Sequence, residues 1–108
     1  MKNIQTKLFK TVTEKVKQTA LGFDENAQVI LFGSRARGDY RKDSDWDFLI
    51  LMDKQVNEPF KRQIRDKIFD AELETDQCIS SLIENKVEWK ELEITDIYQN
   101  VADDGIEI

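Results

Sequence analysis

The stretch Val29-Ile30-Leu31-Phe32-Gly33-Ser34-Arg35-Ala36-Arg37-Gly38, resumed after a polar loop as Asp45-Trp46-Asp47-Phe48-Leu49-Ile50-Leu51-Met52, decides how this chain folds. Ala27 to Phe32 is short, apolar and β-branched at its centre, which favours a buried strand over a helix. Gly33-Ser34 ends it. Ser34 is placed to cap a short helix that Gly38 closes, and Asp39 to Ser44 reads as loop. Trp46 to Met52 is a second strand. Asp45, Asp47, Leu49 and Leu51 face one way along it, and Trp46, Phe48 and Ile50 the other. Only about ten residues link the two strands, and a parallel crossover usually needs a dozen or more. The strands are therefore expected to be antiparallel neighbours, with Gly33-Ser34 leaving one beside Asp45 and Asp47 entering the other.

Outward from this centre the elements alternate. Ile4, Leu8, Val12, Val16 and Ala20 recur every fourth residue, the mark of an amphipathic helix, which Gly22 closes. Asn57-Glu58-Pro59 starts a further helix, with Phe60, Ile64, Ile68 and Ala71 as its apolar face. Gln77 to Ile83 reads as a third strand, and Asn85 to Glu91 as a short helix anchored by Trp89. The tail from Ile94 to Ile108 has no clear period, although Gly105 to Ile108 could add a small edge strand. The expected fold is α/β (α+β), order α-β-α-β-α-β-α, with a small mixed sheet of three or four strands flanked by helices. With 108 residues, the chain is expected to form one domain, residues 1–108.

Composition narrows the chemistry. Histidine is absent, which removes Ser-His-Asp and Cys-His catalysis and His-based zinc sites. A metal held by carboxylates alone would be hard, magnesium or manganese. The single cysteine, Cys78, cannot form an internal disulfide and reads as a packed, inert thiol. Sixteen Lys and Arg against 22 Asp and Glu give a net charge of -6, which argues against bulk nucleic-acid binding. A local basic cluster still suffices for a small phosphorylated ligand. With neither an apolar leader nor a membrane-length apolar run, the expected location is the cytoplasm.

Asp45 and Asp47 at i and i+2 on a strand project from one face, their Cα atoms about 6.5–7 Å apart, and can converge on a metal ion. Gly33 provides a turn with no side chain in the way of a ligand. Ser34 and the amides after it can receive an anion. Arg35 and Arg37, with Arg41 and Lys42 nearby, offer donors to phosphate oxygens. A phosphate cradle, metal ligands and positive charge thus lie together, as phosphoryl-type transfer requires. Each part has a plainer explanation: a turn, a solvated strand end, a surface Arg-x-Arg. Their order between two apolar strands favours the functional one.

Gly33-Ser34, about ten residues, then Asp45-x-Asp47 before an apolar strand resembles the signature of the DNA polymerase β-like nucleotidyltransferase superfamily. The longer strings Gly33-Ser34-Arg35-Ala36-Arg37-Gly38 and Ser44-Asp45-Trp46-Asp47 are similar to its minimal nucleotidyltransferases (MNT). The resemblance implies Mg²⁺ (or Mn²⁺) on Asp45 and Asp47, and the phosphates of ATP or another nucleoside triphosphate over Gly33 and Ser34. It implies transfer of a nucleoside monophosphate, AMP first, to a hydroxyl. It also implies a HEPN-type partner in a toxin–antitoxin pair, whose tyrosine can be the acceptor. The superfamily often places a third carboxylate on the third strand. Here Asp76, at that strand's start, is the candidate third metal ligand or the acid is absent; Ser80 lies where the acid is expected, and Glu72 and Glu74 belong to the helix end. Two alternatives stay open: a binding module that neutralises its partner by occlusion, and transfer to a small molecule. Association with further copies of the chain is left open as well.

Overall fold

In the computed structural model, residues 2–108 are described, with side chains from residue 7 onward, so the Ile4 position of the first apolar stripe lies outside them. The elements run α1 (Lys2–Phe23), β1 (Gln28–Phe32), α2 (Ser34–Arg37), β2 (Trp46–Met52), α3 (Glu58–Thr75), β3 (Ile79–Asn85), α4 (Lys86–Lys90), α5 (Asp96–Asp104) and β4 (Ile106–Glu107). The sheet order is β3-β2-β1-β4. β1 is antiparallel to β2 and to β4, and β2 is parallel to β3, giving a mixed four-stranded sheet. The short link between the first two strands had required the antiparallel pairing.

The alternation along β2 sorts the molecule into layers. Trp46, Phe48, Ile50 and Met52 join Val29, Leu31, Ile79 and Ile83 on one face. α1 covers that face with Val12, Val16 and Ala20, and α3 with Ile64, Ile68 and Ala71. Burying one such large side chain contributes about 1.5–3 kcal/mol, and this layer holds most of them. On the other face Leu49 and Leu51 pack with Ile30, Phe32 and Leu82 under Trp89 of α4 and Tyr98 and Val101 of α5. The Trp89 and Tyr98 rings stack with centroids 5.1 Å apart.

Several local expectations shift. α1 runs one residue past Gly22, and the Asp24 N–H still bonds the Ala20 carbonyl at 3.1 Å. Ser34 does not cap α2: Gly33 occupies the cap position, no side chain bonds there, and Ser34 is the first helical residue. β3 starts two residues later than expected and runs to Asn85, because Asp76 ends α3 in a left-handed conformation (φ 56°) and the chain needs Gln77 and Cys78 to turn. Cys78 is exposed rather than packed, since it precedes the paired part of β3. α5 was not foreseen. Thr95 caps it by accepting from the Tyr98 N–H, and Tyr98 and Val101 supply its inner face. Among the described residues no helix is long and apolar enough to cross a membrane.

Two buried polar residues lock the end of β2 away from its aspartates. Asp24 accepts hydrogen bonds from the backbone N–H groups of Asn26, Asp53 and Lys54 at 2.9–3.1 Å. Asn85 donates to the carbonyls of Asp53 and Lys54 at 3.2 and 3.1 Å, and accepts from Val87 and Glu88 at the start of α4. Burial by itself pushes the Asp24 carboxyl up, but the three N–H donors and the Lys54 ammonium outweigh it and hold the group below 3.8. The stability this contributes is present above pH 3.8 and is lost as pH falls through the lower folded value. Asp24→Ala is expected to lower unfolding free energy by about 2–3 kcal/mol at pH 7, since it orphans three donors. Urea denaturation checks this, and the deficit should shrink below pH 3.8.

Candidate active site

Register puts Phe32 of β1 opposite Asp47 of β2, so the chain turns at Gly33 directly beside the Asp47 side chain. Gly33 has φ 76° and ψ −159°, a region essentially reserved for glycine. A Cβ built there would lie 2.5 Å from Asp47 Oδ2. Glycine is therefore required by the aspartate itself as well as by the turn. The Gly33 carbonyl accepts from the N–H groups of Ala36 and Arg37 at 3.1 and 3.0 Å, closing α2, and Gly38 (φ 92°) ends it. The first N–H groups of such a helical turn have no carbonyl of their own to bond.

Asp45 is exposed and Asp47 half-buried, and neither carboxylate is in an ion pair or side-chain hydrogen bond among the described residues. Partial burial, then the Asp45 charge, push the Asp47 carboxyl above 3.8; the Arg37 charge partly offsets them. Two hard oxygen ligands without protein partners among the described residues suit a divalent cation such as magnesium. β3 supplies the neighbouring position: Ser80 pairs with Asp47. Asp76, by contrast, caps α3 with its side chain exposed, and Glu72 is engaged with the Ile79 N–H at 3.0 Å. Among the described residues no third acid, histidine or cysteine completes a cluster with the two aspartates.

The two arginines part company. Arg35, 7% exposed, turns inward. Its guanidinium lies 4.3 Å from the Tyr40 ring centre and 4.4 Å from that of Trp46. It donates to the carbonyls of Lys42 and Ser44 at 3.2 and 3.1 Å. Burial lowers its pKa, and Tyr40 and Asp43 oppose that. Arg35 thus organises the loop that delivers Asp45, with Nε and Nη2 engaged there. Arg37 stays outside, 46% exposed, with Nη1 on Asp104 at 2.9 Å and Nε on Asp39 at 3.3 Å. Asp104 could not have been found in the sequence, because 67 residues separate it from Arg37 and no spacing rule joins them.

A small mixed sheet with a glycine turn set against an Asp-x-Asp pair, and helices on both faces, defines the nucleotidyltransferase fold. The chain belongs to the nucleotidyltransferase domain family, whose model it matches over residues 8–107, and is an enzyme of that class. Its structure is similar to one described as "Crystal structure of the toxin-antitoxin with AMP-PNP", with a TM-score of 0.62 and 16% sequence identity, over 87% of this chain and 69% of the other. At that identity the likeness speaks for the fold. No curated protein sequence matches the chain.

Gly33→Ala is expected to displace the Asp47 carboxylate and lower nucleotidyl transfer by about 10²-fold or more, the scale of a 1 Å misplacement. Initial rates alongside the thermal midpoint measure it. Asp47→Asn should stabilise the metal-free protein at pH 7, since it removes a carboxylate held against its tendency to ionise. For a raised folded pKa, stability falls as pH rises from 3.8 to the folded value, so the gain should disappear below pH 3.8. Urea titrations at both pH values are the check.

Proposed function

We propose that this chain transfers AMP from ATP to a protein hydroxyl, a tyrosine of a HEPN-type partner, and so acts as the antitoxin half of a toxin–antitoxin pair. The observation that carries the transfer is the Asp45 and Asp47 pair beside the Gly33 turn, unpaired among the described residues. Family membership supports a nucleoside triphosphate and a divalent metal. The similar structure is described as a toxin–antitoxin with a nucleotide analogue, which supports both the ATP and the partner.

In this reading Asp45 and Asp47 hold Mg²⁺ (or Mn²⁺), which when bound neutralises phosphate charge. Gly33, Ser34 and the following amides receive the phosphates. Arg37 faces the charge that grows on pyrophosphate as it leaves. The acceptor oxygen forms a bond to the α-phosphorus, the bond from that phosphorus to pyrophosphate breaks, and the hydroxyl proton leaves to solvent. Ser80 beside Asp47 is no base at neutral pH, which favours an acceptor that gives up its proton readily. A phenol, with a pKa of about 10, does so more easily than an aliphatic hydroxyl.

The same Ser80 also supports a second reading, in which the chain neutralises its partner by covering it. One experiment separates the two. The protein, a HEPN-type partner and labelled ATP with Mg²⁺ are incubated together, and the partner is analysed for label and for activity. Transfer to tyrosine is expected, falling by about 10²-fold or more in Asp47→Asn. No label, beside an active relative run in parallel, overturns transfer. Neutralisation untouched by Asp47→Asn supports occlusion.

A further inference from the structure

Asp104 stands at the C-terminal end of α5, where a negative charge opposes the helix dipole, and the last turn has no basic residue. Nothing in α5 itself calls for an acid there. Asp104 nevertheless is only 19% exposed and meets Arg37 Nη1 at 2.9 Å. The Arg37 backbone N–H bonds the Gly33 carbonyl at 3.0 Å, and Gly33 lies directly against the Asp47 carboxylate. One guanidinium therefore ties the end of α5 to the helical turn that follows Gly33.

We propose that Asp104 is a positioning residue for nucleotidyl transfer, holding the Arg37 guanidinium at the triphosphate. This rests on the nucleotidyltransferase reading given above. The Arg37 side chain sits on a four-residue helix and would otherwise be a mobile surface cation. Asp39 holds Nε at 3.3 Å from an exposed loop, and Asp104 holds Nη1 from a second element. These two bonds restrict the plane of the fork, and among the described residues Nη2 has no partner. A planar fork that is already oriented loses less freedom on meeting a phosphate, so its hydrogen bonds are worth more. Phosphate and Asp104 occupy different donors and need not compete.

The sign of the effect makes the idea testable. Removing a negative charge beside an anion site tightens anion binding through simple Coulomb attraction. If Asp104 orients Arg37, its removal weakens binding instead. The test is calorimetric titration of the protein with a non-hydrolysable ATP analogue and Mg²⁺, with AMP as the control ligand. Asp104→Asn is expected to weaken the analogue about fivefold, the scale of one ordinary net hydrogen bond, and to leave AMP unchanged. Asp104→Glu should recover part of the loss. In an Arg37→Ala background Asp104→Asn should have no effect. The thermal midpoint should hold or rise, because an acid is removed from a helix C-terminus. Analogue binding that is unchanged or tighter overturns the inference. So does equal weakening of AMP, or a loss that persists without Arg37. Failure of the parent protein to bind the analogue would count against the nucleotide reading itself, a result separate from these. Should Asp104→Asn lose its fold, Asp104→Glu and Arg37→Ala decide: unaltered analogue binding in both overturns the inference.

Discussion

The antiparallel pairing of β1 with β2, in the register that sets Phe32 opposite Asp47, is what the site depends on. It brings the Gly33 backbone so near the Asp47 carboxylate that a Cβ would touch Oδ2 at 2.5 Å. A slip of one residue would turn Asp47 toward α1 and α3 and move Phe48 to the opposite face of the sheet. The core holds that register, because Trp46, Phe48, Ile50 and Met52 are all buried on the opposite face. The apolar half of the strand thus fixes where the acidic half points, and hydrophobic burial sets the geometry of a charged site.

The two ends of β2 serve different ends. At its exit Asp24 and Asn85 saturate the backbone groups of residues 53 and 54, so that end is held by hydrogen bonds inside the protein. At its entrance the loop is held from beneath by Arg35, through two rings and two carbonyls. Among the described residues the side chains of Asp45 and Asp47 have no partners. Asp47 bears a raised pKa as the consequence, first of partial burial and then of Asp45 beside it. That cost is what a cation would relieve, and it is why the most polar part of the strand is also the least satisfied.

Much of this was legible in the chain. The spacing of Val12, Val16 and Ala20, the capped start at Asn57-Glu58-Pro59 and the alternation from Asp45 to Leu51 all reflect local periodicity, which survives folding because each element buries one face. The paired aspartates and the Gly-Ser turn could be placed together because a short link forces neighbouring strands. Arg35 and Arg37 looked alike in sequence, two residues apart on one turn. Their environments differ because Tyr40 and Trp46 close over one and Asp104 reaches the other. The boundaries of β3 were misplaced for a local reason, the left-handed Asp76, which delays the strand beyond where its apolar content suggests.

By itself the sequence determined the strand–turn–strand centre, its antiparallel sense and the identity of the two acids, since these follow from hydrophobic period and link length. Only the tertiary structure decided which arginine faces outward and what restrains it. Those contacts join residues far apart in the chain, and their geometry comes from how the layers pack, which no local pattern encodes. Arg35 turned into the loop and Asp104 reaching across from α5 are both facts of packing.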